Sequence, residues 1–261
     1  MKKGISILFK ILKGVTAFAI LCAFLVATFS GVRQKQDQAC RDIRIHVDYS
    51  DGNSWITAAQ VQELIVAIQG KSPQGVTLRQ LRIADIEKGL EKNPYIRDAE
   101  VFVRNNNSLQ INIVQKKALF RVLTTTGVGY YVSENQETIP LCPNFTPQVP
   151  VALGNIPADS WGEQNKNRPI SLFTLMDAIV ADSVLNALTD QVWMEDAQQF
   201  LLIPRMGCQQ IILGNAENLN RKFKKVKLFY QKAIGQQGWN YYESIDVKFE
   251  NQIVALKRDS V

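Results

Sequence analysis

The chain has 261 residues, 46% of them hydrophobic and 21% charged, which is enough apolar material for two modest folded domains and not the composition of a disordered one. Its formal charge of +6 belongs to one end: Lys2, Lys3, Lys10 and Lys13 stand in a first stretch without an acid, and setting those four aside leaves 26 basic against 24 acidic residues. A near-neutral remainder argues against a nucleic-acid-binding face, which would concentrate cations on the folded part.

Residues 1–13 form the basic tail. Residues 14–32 carry no charge over about 19 positions, close to the ~20 that a helix needs to cross the hydrocarbon core. Lysines dominate the amino-terminal flank, whereas Arg33, Lys35 and Arg41 mix with Asp37 and Asp42 on the other. The positive-inside rule therefore predicts a cytoplasmic tail, a single transmembrane helix over 14–32 and an extracytoplasmic remainder. A cleaved signal peptide is the competing reading, but the apolar run exceeds the usual ~7–15-residue signal core and no clean small-x-small site follows. Cys22 falls in the span, leaving Cys40, Cys142 and Cys208 where disulfides can form. At most one pair can form among the three, and their spacing matches no zinc pattern.

After a linker over 33–40, alternation over 43–49 predicts a strand and Asp51-Gly52-Asn53 a turn. Thr57 and Gln60 have the form of a capping box, with Ile56 and Val61 at the staple positions. A helix carrying Val61, Leu64, Ile65 and Ile68 on one face should end at Gly70. A second helix begins near Ile83, carries Ile86 and Leu90, and closes at Asn93-Pro94 because the residue before proline avoids the helical region. Strands over 99–104 and 109–114 flank the hairpin 105–108, where asparagine tolerates the left-handed turn.

The order strand, helix, helix, strand, strand, together with Ile43-Arg44-Ile45-His46-Val47, Gly75-Val76-Thr77-Leu78 and Asn93-Pro94-Tyr95-Ile96-Arg97-Asp98-Ala99-Glu100-Val101, resembles the POTRA domain over most of 41–119. Relatives usually end the last strand on an acid and an arginine before a proline. Here Gln115, Lys116, Lys117 and Ala118 stand instead.

Farther on, aromatic and β-branched residues flank a polar turn at 133–136 and predict two strands. A proline-rich connection spans 140–157, a helix 172–188, and strands 191–194, 199–203 and 209–213. The last amphipathic helix sets Leu219, Phe223, Val226, Phe229, Tyr230 and Ala233 on one face. Arg221, Lys222, Lys224, Lys225, Lys227 and Lys232 lie largely on the others, read as a solvated face or as a patch for an acidic partner. One final strand is expected over 244–257.

Chemistry-bearing constellations are scarce. His46 is the one histidine, which rules out histidine triads and multi-histidine metal sites, and its place on the polar phase of its strand is that of a surface residue. No phosphate-cradling glycine loop occurs. Paired acids for glycan hydrolysis stay open, because Asp and Glu are scattered and nothing distinguishes Glu87, Glu195 or Asp196. No catalytic residue, cofactor or metal is expected.

The segment 130–141 and the closing Ile245-Asp246-Val247-Lys248-Phe249 resemble the FtsQ/DivIB family of bacterial cell-division proteins, and with the POTRA-like segment the resemblance covers nearly the whole chain. It implies an α+β fold: a single transmembrane helix, a POTRA-like β-α-α-β-β domain over 41–119, and a mainly antiparallel β domain with flanking helices over 120–261. It implies a non-enzymatic, bitopic divisome scaffold of the inner membrane and division septum, single-pass type II, with a cytoplasmic N-terminus and periplasmic C-terminal domains. Its expected partners are FtsB (DivIC)-like and FtsL-like coiled-coil proteins, with the septal peptidoglycan synthase as a further one, and it would help regulate septal peptidoglycan synthesis. Neither nucleic acid nor a small-molecule substrate is implied. Alignment on 245–249 carries the partner contacts onto Phe249, Asn251, Leu256 and Lys257, with Tyr230 and Tyr242 behind them. The alternative is a POTRA-containing component of secretion or outer-membrane assembly, although roughly 140 residues after Phe120, two helices among them, leave little room for a membrane barrel.

Overall fold

The computed structural model describes residues 36–157, 161, 168–195 and 199–258. The basic tail and the span expected over 14–32 lie outside them. Among the described residues no helix is long and apolar enough to cross a membrane. The chain divides into two compact units, one of Met1–Asp48 and Ile56–Val114, the other of Tyr49–Trp55 and Gln115–Val261.

In the first unit, β1 (Asp42–Asp48), α1 (Ala58–Gln69), α2 (Ile83–Glu91), β2 (Ile96–Val103) and β3 (Ser108–Gln115) follow the expected order. The sheet runs β1-β3-β2, with β1 parallel to β3 and His46 opposite Asn112. Local signals act as read. Thr57 Oγ1 accepts from the Gln60 amide while the Gln60 side chain accepts from the Thr57 amide, and Ile56 and Val61 are both buried. Gly70 takes the left-handed conformation at φ 83° and donates to the Val66 carbonyl. Asn107 does the same in the hairpin at φ 60°. Val47, Ile65, Ile86, Leu90, Ile96 and Ile111 meet in one core. β2 starts at Ile96, before the expected 99, because Ile96 is itself a core residue while Arg97 and Asp98, both exposed, interrupt the alternation.

The second unit is built on a nine-stranded sheet in the order β12-β11-β10-β9-β8-β7-β4-β5-β6. Its strands are β4 (Ala118–Thr124), β5 (Gly129–Ser133), β6 (Thr138–Pro140), β7 (Val151–Gly154), β8 (Thr189–Met194), β9 (Phe200–Pro204), β10 (Gln210–Gly214), β11 (Tyr242–Asp246) and β12 (Val254–Lys257). The helices are α3 (Ile170–Ala181), α4 (Ser183–Leu188) and α5 (Leu219–Phe229), the last continuing into a π-helical turn, Tyr230–Ile234. Alternate strand residues such as Val122, Ala152, Val192, Leu202, Ile211 and Ile245 join Leu175, Ile179, Phe223 and Val226 of the helices in one core. Trp161 is buried in it, its ring 5.9 Å from Phe120 and 5.8 Å from Phe173.

Four features differ from the sequence reading. The connection over 140–157 contains β7, a short central strand whose flanking prolines mask it; the Pro150 carbonyl still accepts from the Arg121 amide. β4, not expected as a separate strand, follows directly on β3 and pairs in parallel with β7. With β7–β8 and β10–β11 also parallel, the sheet is mixed. The helix over 172–188 is two helices, because Asp182 leaves the helical region (φ −96°, ψ 111°) and its carboxylate accepts from the Val184 and Leu185 amides as the N-cap of α4. The single strand over 244–257 is a hairpin, β11 antiparallel to β12.

The Gln115 position, where the chain departs from the POTRA pattern, anchors the Tyr49–Trp55 loop within the second unit. Its buried side chain accepts from the Trp55 amide at 2.8 Å and donates to the Asn53 carbonyl at 3.0 Å. The Trp55 indole N–H donates to the Lys116 carbonyl at 2.7 Å, and its ring lies 5.2 Å from Tyr131 and 5.0 Å from Phe145.

Candidate functional site

A sheet ends in two edges, and unpaired backbone groups there are where a foreign strand can add. One edge, β6, is three residues long and ends in Pro140, which has no N–H to offer. The other, β12, is four residues long and ends in Lys257, but it contains no proline. Arg258 N–H donates to the Tyr241 carbonyl, so the Tyr242–Lys257 pair that this bond frames is a non-hydrogen-bonded one, and Lys257 turns its amide and carbonyl away from β11. By alternation Leu256 faces β11, opposite Ser244, and Ala255 again faces outward. The β-bulge between Tyr242 and Ser244 lies on the β11 side and leaves the phase of β12 intact. Two side chains on one face of the strand, Val254 and Leu256, are 47% and 57% exposed.

The loop 247–253 that joins the two strands is tied to α5 by cations. Arg221 meets Glu250 at 2.5 Å. The Lys225 ammonium donates to the Val247 carbonyl at 2.7 Å and also to the Phe249 carbonyl. Lys222 is buried and donates to Asn215 O and Oδ1 at 2.8 and 2.9 Å; desolvation holds its pKa below the usual lysine range. Lys227 bonds Asp182 at 2.6 Å, and that bond draws the Asp182 carboxyl below the usual carboxylate range. The basic residues of this segment are therefore not one solvated face: Arg221, Lys222, Lys225 and Lys227 are engaged with acceptors from elsewhere in the fold, and Lys224 of α5 and Lys232 of the π-helical turn are exposed.

Five of the six expected contact residues lie on this hairpin. Phe249, 46% exposed, and Asn251, also exposed, lie in the loop, and Leu256 and Lys257 lie on β12. The Lys257 ammonium sits 5.3 Å from the Tyr241 ring centroid. Tyr242, half-buried at the start of β11, has ring contacts with Phe229 at 5.0 Å and Tyr241 at 4.9 Å. Tyr230 is occupied elsewhere: its ring lies 5.9 Å from Trp239, its hydroxyl accepts from Gln209 at 2.7 Å, and burial pushes its pKa up to about 12. Sequence reasoning missed Val254 and the outward backbone of Ala255. The signal that could have found them is the polar run Glu250-Asn251-Gln252, which interrupts the alternation as a turn would.

Among the described residues no group of His, Cys, Asp or Glu could hold a metal ion. Cys40, Cys142 and Cys208 are free thiols, and His46 is exposed on β1. A cavity of about 520 Å³ in the second unit has Asp51 and Lys117 as its only titratable lining groups, and Lys117 is bonded to Glu134 at 2.8 Å, so it presents no pair of acids.

The family model described as FtsQ/DivIB, C-terminal related, matches residues 117–256, more than half of the chain and the whole of the large sheet but for the last residue of β12. The chain belongs to the FtsQ/DivIB family. A POTRA-like domain model matches residues 38–114, the β-α-α-β-β unit. No curated protein matches the chain. FtsQ/DivIB and POTRA-like domains are non-enzymatic scaffold domains, and their pairing in one chain is that of a cell-division scaffold.

Proposed function

We propose that this FtsQ/DivIB protein is a bitopic divisome scaffold that captures a small coiled-coil division protein, of the FtsB (DivIC) or FtsL type, by strand addition to β12. The observation that carries the reading is the proline-free edge itself: outward amides and carbonyls at Ala255 and Lys257, flanked by exposed Val254, Leu256 and Phe249. Main-chain bonds would supply affinity and the alternate side chains selectivity. The uncharged stretch over 14–32 would anchor the chain in the inner membrane, with the basic tail in the cytoplasm and both folded units in the periplasm at the septum. Through its partners, the septal peptidoglycan synthase among them, it would help regulate wall synthesis at the division site.

The test is crosslinking in dividing cells from a photoreactive amino acid placed at Phe249, followed by identification of the captured protein. A small single-pass coiled-coil protein supports the reading. Capture of an outer-membrane barrel or a secreted substrate moves the protein to secretion or outer-membrane assembly instead.

A further inference from the structure

The edge strand is weakly built for a docking site. β12 has four residues, pairs only with β11 across a register shift, and is reached through an irregular loop, 247–253. Short edge strands at the end of such a loop fray, because few contacts oppose the conformational entropy of opening. Within the loop, the Val247 amide reaches back to Ile212 and the Lys248 amide to Asp246 Oδ1 at 2.9 Å; both bonds secure its start. What reaches further is α5. One ammonium, that of Lys225, gathers the carbonyls of Val247 and Phe249, residues on either side of Lys248. Lys225 is rooted one helical turn from Arg221, which holds Glu250, and beside Val226, which is fully buried in the core.

We propose that Lys225 is the positioning residue of the partner edge: by joining the Val247 and Phe249 carbonyls to α5 it fixes the loop, presents Phe249 and keeps β12 seated on β11 for strand addition. This rests on the function proposed above for where it matters, but its structural half stands without a partner. An ammonium suits the task because it offers three donors that can be aimed at separate acceptors. Bonds from a charged donor are also the stronger ones. Arg221 adds a second tie, but to a carboxylate that is 73% exposed, where an ion pair contributes little.

The experiment uses the full chain and three variants, Lys225→Met, Lys225→Arg and Ala255→Pro, with two readouts. Hydrogen exchange over 247–257 should quicken about tenfold in Lys225→Met, the scale expected for losing bonds from a charged donor, while β8 and β9 exchange as before; Lys225→Arg, which keeps donors at that site, should restore slow exchange. Co-purification of a co-expressed FtsB (DivIC)-like protein should fall in Lys225→Met and recover in Lys225→Arg. Unchanged exchange over 247–257 in Lys225→Met overturns the proposed tie between α5 and the loop, whatever the partner does. Faster exchange with full co-purification, when Ala255→Pro abolishes it, overturns the positioning role and leaves the proposed function standing. If Ala255→Pro also co-purifies fully, strand addition fails and the partner half of the proposal with it, while faster exchange in Lys225→Met still supports the tie between α5 and the loop.

Discussion

Proline at position 255 separates binding from folding. The Ala255 amide points away from β11, so Ala255→Pro removes no bond of the Ile245–Ala255 ladder, and proline is tolerated on an edge strand with its nitrogen facing outward. A partner strand laid along β12 would use the outward groups of Ala255 and Lys257. Proline deletes one donor outright and places its ring in the path of the incoming backbone, costing the neighbouring bond as well. At about 0.5–1.5 kcal/mol net for each hydrogen bond, losing two weakens binding by about 1–3 kcal/mol, on the order of 5- to 150-fold. The assay pairs a titration of the full chain with an FtsB (DivIC)-like partner and a thermal melt, the stability being expected to stay within about 1 kcal/mol of the parent. Leu256→Pro is the internal contrast, because Leu256 faces β11 opposite Ser244; it should disturb the hairpin itself. Full affinity for Ala255→Pro with an intact melt refutes the edge assignment, and equal destabilisation by both prolines refutes the phase deduced for β12.

Other predictions concern the supports of the fold. Gln115→Ala removes two buried bonds, one from the Trp55 amide and one to the Asn53 carbonyl, and should cost about 1–3 kcal/mol, read as a lower denaturant midpoint for the second unit. Gly154→Ala meets a φ of +102° and would bring its Cβ to 2.1 Å from the Met194 carbonyl oxygen; strain and overpacking together should cost about 2–5 kcal/mol. Gly127→Ala, at φ +82° with nothing within 4 Å, should cost about 1–2 kcal/mol, and the two are compared by chemical denaturation. Asp182→Asn keeps the cap of α4 but loses the bond to Lys227, so the loss at neutral pH should stay below about 1 kcal/mol. Because the folded Asp182 carboxyl is held below its ordinary value, this contribution is complete above that value and disappears as pH falls toward the lower, folded one. Melts of parent and variant should accordingly converge in acid, and a gap that persists there would contradict the ion-pair account.

Much of the first unit was legible in the sequence, because its elements are defined by neighbours. Thr57 and Gln60 cap α1 through bonds three residues apart, Gly70 ends it, and the asparagines at 105–107 turn the hairpin, all within the reach of a local signal. The candidate site was legible only in part. A single strand over 244–257 satisfied the apolar spacing, and placed Phe249, Asn251, Leu256 and Lys257 in one region, but periodicity could not reveal that the chain reverses between Asp246 and Val254. β7 was hidden for a related reason: four residues between prolines become a strand only when β4 and β8 supply partners on both sides, and those partners are distant in sequence. Charge is the clearest case. The sequence alone fixed that α5 is amphipathic and rich in cations, since that depends on a 3.6-residue period. Only the tertiary structure decided that Lys222 is buried on Asn215, that Lys227 meets Asp182 and that Lys225 holds the β11–β12 loop, because a lysine's role is set by the acceptors within reach of its ammonium, and the folded chain brings those from elsewhere.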